Sequence, residues 1–225
     1  RTIPNNTHAS LMRRFAWDIT DMLSVNRQSL LNEKVKTITL NGIMTVESEF
    51  ALPGNGKLEL IRVLFPSVHN PALCEKYILR NTGETNISVE IPSSRSVIET
   101  EASQGVDGSY KLVSVINGQT SKQLKPGEEL SFSAFFSGYK PTENEPSTDI
   151  EKELKDRKDL IAGFWDKLIL DTPDPVINTM FAFAKIRGAE SIYNTKGGLM
   201  HGPGGESYYA AIWANDQAEY INPFF

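Results

Sequence analysis

A short stretch near the end of the sequence contains both aromatic and polar side chains. The stretch contains Tyr208, Tyr209, Trp213 and Tyr220 together with Asn215, Asp216, Gln217 and Glu219. An aromatic ring can stack on the apolar C–H face of a sugar, while carboxylate and amide groups hydrogen-bond to its hydroxyls. The residue types therefore suit a sugar-binding surface, and they equally suit a core helix whose rings only pack.

Spacing within this stretch is compatible with one shared face. Trp213 and Asp216 are three residues apart, and Trp213 and Gln217 are four apart. Side chains at these separations are neighbours on a helix. We therefore expect residues 207–220 to be helical and to present Trp213 and Asp216 together.

A glycine-rich segment, residues 197–206, precedes the stretch. Five glycines in nine positions indicate irregular backbone, and such loops commonly carry binding residues, although a plain connector between helices is the alternative. The segment lacks the Gly-Lys-Ser/Thr ending of a phosphate-binding loop. His201 and Glu206 could ligate a metal, but no second His or Cys stands at ligand spacing. We expect neither a metal nor a cofactor.

Composition and charge exclude several classes of protein. The 225 residues are 40% hydrophobic and 23% charged, which is typical of a globular protein with a sizeable core. The net charge of −5 argues against a broad basic surface for nucleic acid. No apolar run is long enough to span a membrane. The single cysteine, Cys74, cannot form an internal disulfide, and its alternating context predicts a buried, unreactive side chain.

The sequence changes character near residue 140. Before that point, alternating apolar residues predict strands separated by Asn-Gly, Asp-Gly and Pro-Gly turns. The predicted strands are 34–40, 43–50, 57–65, 74–80, 87–91, 110–116 and 129–138. Seven short strands at hairpin spacing predict an antiparallel β-sandwich over residues 1–140. Tyr110 and Phe135 are the main aromatic candidates for a binding face on it, and we expect both to be packed between strands.

Residues 141–170 predict a polar linker and an amphipathic helix. Thr148 and Glu151 match a capping box, in which the threonine accepts a backbone hydrogen bond and the glutamate reaches back. The apolar residues that recur at helical spacing are Ile150, Leu154, Ile161, Trp165 and Leu168. We expect this face to lean on the sandwich.

Residues 171–225 predict the first helices of a further domain. Asp174 is suited to cap a helix that starts at Pro175 and runs over 176–193. That helix is apolar nearly all round, which predicts burial on more than one side. We therefore expect its partner helices to be missing or to come from another chain, and we expect self-association through exposed helices.

These last residues resemble the opening of the six-hairpin (α/α)6-barrel glycosidases, in the trehalase and glucoamylase-like group. The resemblance lies in Thr172-Pro173-Asp174-Pro175, in Phe181-Ala182-Phe183-Ala184-Lys185, in Gly202-Pro203-Gly204-Gly205 and in the stretch from Ile212 to Tyr220. Pro-Gly-Gly followed by Tyr-Tyr and Trp-x-x-Asp is similar in style to the trehalase signature. In this superfamily a β-sandwich and a linker helix commonly precede the barrel.

The resemblance implies a glycoside hydrolase, acting on an oligo- or polysaccharide, that is cut off here before the rest of its barrel. It implies that Trp213, Asn215 and Asp216 line a sugar subsite, with Glu219 as a further candidate on the same stretch. It implies no catalytic residue here, so this part alone is expected to be inactive. It also implies a periplasmic or extracellular location. The alternative is a non-catalytic carbohydrate-binding or adaptor protein.

Overall fold

The computed structural model describes residues 17–104, 108–195 and 197–201. The chain forms two compact units. The sandwich unit comprises Arg13–Thr100 and Tyr110–Arg157. The helical unit comprises Arg1–Met12, Glu101–Ser109 and Lys158–Phe225. In the described residues, no helix is both long enough and apolar enough to cross a membrane.

The sandwich unit begins with a short helix, α1 (Ile19–Met22), and continues with strands. The strands are β1 (Ser24–Val25), β2 (Gln28–Ser29), β3 (Lys34–Leu40), β4 (Met44–Leu52), β5 (Gly56–Pro66), β6 (Ala72–Asn81), β7 (Ile87–Ile91), β8 (Ser94–Glu99), β9 (Lys111–Asn117), β10 (Thr120–Leu124) and β11 (Glu129–Tyr139).

Two antiparallel sheets form the sandwich. One has seven strands in the order β3-β4-β5-β6-β11-β9-β8, and the other has four in the order β10-β7-β1-β2. Alternate residues of β5 and β6, such as Leu60 and Leu79, face Ile87 and Val89 of the smaller sheet in one apolar core. All four side chains are at most 1% exposed. The predicted fold, an antiparallel sandwich followed by helices, is confirmed.

Each of the seven predicted strands is present, but four strands of the sandwich unit have no counterpart in the prediction. Three of these, β2, β8 and β10, lie at sheet edges, and β8 and β10 are the longer two. Their sequences, Ser-Arg-Ser-Val-Ile-Glu and Thr-Ser-Lys-Gln-Leu, are largely exposed and show little apolar alternation. An edge strand packs against fewer neighbours, so its sequence carries a weaker signal.

The next element is a helix, α2 (Ile150–Trp165), and its cap differs from the prediction. Asp149 Oδ1 accepts from the backbone N–H groups of Glu151 and Lys152 at 3.1 and 3.2 Å. Thr148 instead accepts a hydrogen bond from Asn117, and Glu151 pairs with Lys76 at 2.6 Å. Asp149 is therefore the cap, because both capping-box residues have partners on the sandwich.

The first half of α2 packs on the face of the seven-stranded sheet opposite the four-stranded sheet. Ile150 and Leu154 lie against Phe65, Cys74 and Phe135. The prediction that this helix leans on the sandwich is confirmed for Ile150–Arg157. Cys74 is 0% exposed, and burial raises the pKa of its thiol to about 12, as expected for an unreactive side chain.

The helical unit contains the second half of α2, α3 (Pro175–Glu190), β12 (Ile192–Thr195) and β13 (Gly198–His201). Three predictions are corrected here. Leu168 is not on the α2 face, because α2 ends at Trp165 and Leu168 is 56% exposed with a φ of 47°. Helix α3 ends at Glu190 rather than residue 193, and Gly198–His201 is a strand rather than a loop, because the two segments pair as a hairpin.

Candidate functional site

The chain that leads to the predicted sugar-binding stretch starts with a well-fixed helix, α3. Asp174 Oδ1 accepts from the backbone N–H of Val176 at 2.8 Å, and Pro175 opens the helix, as predicted. Thr172 and Asn178 add a reciprocal clamp, in which the Thr172 backbone N–H donates to Asn178 Oδ1 and Asn178 Nδ2 donates to the Thr172 carbonyl, both at 2.9 Å. The start of α3 is thus held on both sides of Asp174.

A buried lysine joins α3 to the end of α2. The Lys185 ammonium, in a residue only 8% exposed, donates to the carbonyls of Phe164, Lys167 and Leu168. The last carbonyls of a helix lack partners within it, and a cation there is favourable. Lys185 therefore satisfies carbonyl groups at the end of α2 and in the turn that follows it, where Leu168 lies. Its sequence position on an apolar helix gave no sign of this role.

The hairpin of β12 and β13 reverses the chain after α3. Ile192 pairs with His201 and Thr195 with Gly198. The chain therefore returns to the end of α3 by His201. The His201 side chain is 8% exposed, and no group of three potential metal ligands occurs among the described residues.

The four predicted sugar-binding residues, Trp213, Asn215, Asp216 and Glu219, lie outside the described residues. The possible metal ligand Glu206 lies outside them as well. The structure thus describes the helix and hairpin that lead to the predicted subsite. The subsite itself stays a prediction from the sequence.

A row of charged side chains crosses the face of the seven-stranded sheet on which α2 packs, which is a candidate face for the sugar-binding alternative. Cross-strand neighbours on this face of β3, β4, β5, β6 and β11 form one row of charged residues: Lys34, Glu49, Glu59, Arg80 and Glu129. Arg80 pairs with Glu59 at 3.0 Å and with Glu129 at 2.5 Å, and Glu49 pairs with Lys36 at 2.8 Å. These partners satisfy one another across the strands.

Aromatic side chains do not form a platform on the described part of the sandwich. Phe135 is 1% exposed beneath α2, as predicted, and Tyr110 is half-buried. No aromatic residue is among the exposed large hydrophobic side chains of the described residues. A sugar face needs an accessible ring to stack on. The described β faces therefore do not favour the binding-protein alternative.

The sequence reasoning missed a polar cluster inside the sandwich. Glu75 and Tyr77 are 8% and 1% exposed, and the Tyr77 hydroxyl donates to the Glu75 carboxylate. The Trp17 indole N–H donates to Tyr77 Oη at 3.3 Å. The sequence does indicate that Glu75 faces the core, since it lies on the same face of strand β6 as the core residues Tyr77 and Leu79.

Burial raises the pKa of Glu75, against the lowering effect of the Tyr77 hydrogen bond and the Arg62 charge. Arg62 is itself paired with Glu33 at 2.6 Å. A buried carboxyl with a raised pKa resembles a general acid. Glu75, however, lies in the interior between the sheets, where a sugar has no access, so its role is structural.

Two further charged residues are buried under α2. Glu153 is 3% exposed and accepts from Asn70 Nδ2 at 2.8 Å. Arg157 is also 3% exposed and donates to the Gly42 carbonyl from two nitrogens, at 3.0 and 2.7 Å. Both share the helical face of Ile150 and Leu154, so spacing alone could have identified them. They fix α2 on the sandwich with polar as well as apolar contacts.

Comparison with known proteins gives a likeness of fold. No protein-family model and no curated protein matches the sequence. A solved structure assigned provisionally as a kojibiose phosphorylase from the human microbiome matches with a TM-score of 0.56 and 11% sequence identity. The match covers 90% of this chain and 35% of that chain. The sandwich followed by helices is thus a fold that this chain shares with part of a protein assigned as a glycoside phosphorylase.

Proposed function

We propose that the chain is the sandwich, linker helix and first barrel helices of an enzyme that cleaves glycosidic bonds. The observation that carries the proposal is the fold match, which covers 90% of this chain and only 35% of a chain assigned as a kojibiose phosphorylase. The described part of the chain supplies the same order of sandwich and helices that the sequence resemblance implies.

The sugar subsite in this proposal is formed by Trp213, Asn215, Asp216 and Glu219. Trp213 would stack on a sugar ring, while the carboxylates of Asp216 and Glu219 and the Asn215 amide would bind hydroxyls. Helix α3 and the β12–β13 hairpin precede these residues in the sequence. Lys185 joins α3 to the end of α2, and Asp174 caps the start of α3.

The general acid and base of the reaction are placed outside this chain. Inverting hydrolysis needs two carboxyl groups about 6.5–9.5 Å apart, one as acid and one to activate water. The buried carboxylates of the described part, Glu75 and Glu153, lie in packed interiors and are bound by neighbours. In the proposal, this part of the protein binds the sugar and another part breaks the bond.

Phosphate is a second candidate for the group that attacks the bond. The matched structure is assigned as a phosphorylase, which uses phosphate where a hydrolase uses water. Both chemistries cleave a glycosidic bond, and both fit the proposed subsite.

The test is an activity assay on the protein encoded by the whole reading frame around this chain. A panel of disaccharides is incubated with and without inorganic phosphate, and free sugar and sugar 1-phosphate are measured. We expect cleavage with one of the two acceptors. Asp216→Asn should lower kcat/KM by about tenfold or more, since one charged hydrogen bond is worth ~1.5–3 kcal/mol. Trp213→Ala removes the ring that stacks on the sugar and should lower kcat/KM as well.

Glu84→Gln is the matched control, because Glu84 is an exposed carboxylate in a turn of the sandwich unit. It should leave kcat/KM unchanged. Sugar binding without turnover by the whole protein would favour the carbohydrate-binding alternative. Hydrolysis of an aryl glycoside by residues 1–225 alone, surviving mutation of Asp216 and Glu219, would contradict the placement of the acid and base elsewhere.

A further inference from the structure

Three asparagines in the sequence, Asn41, Asn55 and Asn117, are each followed by glycine. Asparagine in this position readily loses its side-chain amide as ammonia, because the backbone nitrogen of the next residue can attack the side chain. A glycine favours the attack, since it has no Cβ to shield its nitrogen. All three dipeptides lie in the sandwich unit, and the structure distinguishes them by how freely the two reacting groups can meet.

At Asn41 both reacting groups are accessible. Asn41 and Gly42 lie in the short loop that joins Leu40 of β3 to Met44 of β4, and these two residues pair across the strands. Asn41 is exposed. Neither its side-chain amide nor the backbone N–H of Gly42 makes a hydrogen bond to any described residue. No contact in the described part of the chain therefore has to break before the two groups react.

The other two dipeptides are restrained by the sheet. The Asn117 amide donates to Thr148 Oγ1 at 2.9 Å, and Asn117 pairs with Ser133 at the end of β9. In the third dipeptide, Gly56 is buried and pairs with Leu52 at the start of β5. Reaction at either site requires the end of a strand to open first, which lowers its rate by the population of the open form.

We propose that Asn41 is a site of spontaneous deamidation and that its product weakens the attachment of α2 to the sandwich. The Gly42 nitrogen loses its proton to solvent and bonds to Asn41 Cγ, while the Cγ–Nδ2 bond breaks and ammonia leaves. Water then opens the resulting five-membered imide at either carbonyl. Opening at Cγ gives aspartate. Opening at the main-chain carbonyl gives isoaspartate, in which the main chain runs through Cβ and Cγ and is longer by a methylene group. The proposal does not depend on the proposed function.

The link to α2 is the Gly42 carbonyl. Arg157 of α2 donates to it from two nitrogens, at 3.0 and 2.7 Å. Because Leu40 and Met44 hold the two ends of the loop, a longer main chain between them displaces this carbonyl relative to the Arg157 guanidinium. Hydrogen bonds weaken steeply when their angle departs from linearity. We therefore expect α2 to separate from the sheet more often when residue 41 is isoaspartate.

Mass spectrometry of aged protein tests the reaction. The 225-residue protein is kept in mildly alkaline buffer, and its tryptic peptides are analysed for replacement of an NH2 group by OH. Asn41 and Asn55 fall in one peptide, residues 37–57, so fragmentation compares them in the same molecule. We expect conversion of Asn41 to be at least about tenfold faster than that of Asn55 or Asn117. In urea-unfolded protein, the three should convert at similar rates. Equal rates in the folded protein would overturn the proposal.

Thiol labelling of Cys74, which is buried in the same cluster as Leu154 of α2, tests the effect on the helix. With a slow reagent, aged protein should show a phase about tenfold faster than fresh protein, since a hydrogen bond to a charged group is lost. The amplitude of this phase should equal the isoaspartate fraction.

Two variants are the matched controls. Asn41→Gln keeps an amide but would need a larger ring to react, so ageing should not change its labelling. Asn41→Asp carries the new charge on a normal main chain and should label like fresh protein. Fast labelling of Asn41→Asp would show that the charge, and not the longer main chain, loosens α2, which would overturn the proposed link. Unchanged labelling of protein that contains isoaspartate at position 41 would overturn it as well.

Discussion

At the residue scale, the described part of the chain uses buried charge as a structural device. Lys185 fastens the end of α2, Arg157 holds the Gly42 carbonyl, and Glu75 anchors Tyr77 inside the sandwich. Each group is at most 8% exposed, and each has a hydrogen-bond partner. A buried polar group is tolerated when it is paired, and its removal leaves an unpaired partner. These directional hydrogen bonds fix the position of one segment against another, which a non-directional apolar contact would not do.

Glu75 makes stability depend on pH. Burial raises its pKa above the ordinary value of 4.5, so the folded protein binds this proton more readily than the unfolded chain. Its contribution to stability is therefore present below pH 4.5 and is lost as pH rises through the folded-state pKa. At neutral pH, the buried charge is a cost.

Glu75→Gln should therefore increase the free energy of unfolding at pH 7, by about 1 kcal/mol. The glutamine oxygen can still accept the Tyr77 hydroxyl. Urea unfolding followed across pH 4–8 is the measurement. Glu33→Gln is the matched control and should act in the opposite direction, because it removes the partner of Arg62. Lower stability of the Glu75 variant at pH 7 would mean that Arg62 outweighs the cost of burial.

Sequence patterns predicted the burial of individual side chains correctly in strands where apolar and polar residues alternate. Cys74 and Phe135 were expected to be packed, and both are buried. The cap of α2 was assigned to Thr148, but Thr148 and Glu151 bind Asn117 and Lys76 across the fold. Such long-range partners cannot be read from local spacing. The same limit applies to Lys185, whose acceptors are about twenty residues away in sequence.

At the scale of elements, tight turns between strands fix the register of the sandwich. Gly118 has a φ of 94°, and a Cβ there would lie 2.9 Å from Phe132 Cβ. Gly127 has a φ of 79°, and a Cβ there would meet nothing within 4 Å. The two turns need the same left-handed backbone but differ in the space available. They are therefore a matched pair.

Gly118→Ala should destabilise the protein more than Gly127→Ala. Both variants pay for the left-handed conformation, roughly 1 kcal/mol or more, and only the first must also displace Phe132. We expect an excess loss of about 1–3 kcal/mol in Gly118→Ala, measured by urea unfolding with circular dichroism. Equal losses would mean that β9 and β11 adjust around the new methyl group at little cost.

Strands inside the sheets were predictable because both neighbours and one apolar face impose a period of two. Among the edge strands, β3 was predicted, but β8 and β10 were not, since they carry mostly polar residues. The predicted end of α3 was also wrong, because Ile192 and Tyr193 belong to strand β12 of the hairpin. The glycine-rich sequence predicted an irregular loop, whereas Gly198–His201 is a strand.

At the scale of the whole molecule, the two units differ in how completely they are packed. The sandwich unit contains its own apolar core, contributed by both sheets. The helical unit exposes Val176, Met180 and Leu199 at 67% or more. We expected α3 to be buried on more than one side. In the described residues, the side of α3 with Lys185, Ile186 and Gly188 is buried, and the side with Val176 and Met180 is exposed. The candidate sugar site stays a prediction, because its four residues lie beyond the described part.

Residues 13–157 should fold without the rest of the chain, because the core of the sandwich and the first half of α2 lie within them. We expect one cooperative urea transition, seen alike by circular dichroism and by fluorescence. Of the three tryptophans in the sequence, only Trp17 falls in this range, so the fluorescence change has a single source. Separate transitions by the two methods would show that the sandwich needs residues outside this range.

The buried cysteine has a consequence for kinetics. Cys74 is the only cysteine in the sequence, and it is sealed beneath Leu154 of α2 and against Phe65. A thiol reagent can reach it only during a transient opening. When the reagent is slow, the rate of labelling gives the equilibrium for that opening, and when it is fast, it gives the opening rate itself. Labelling of Cys74 in the unaltered protein thus measures how often α2 separates from the sheet.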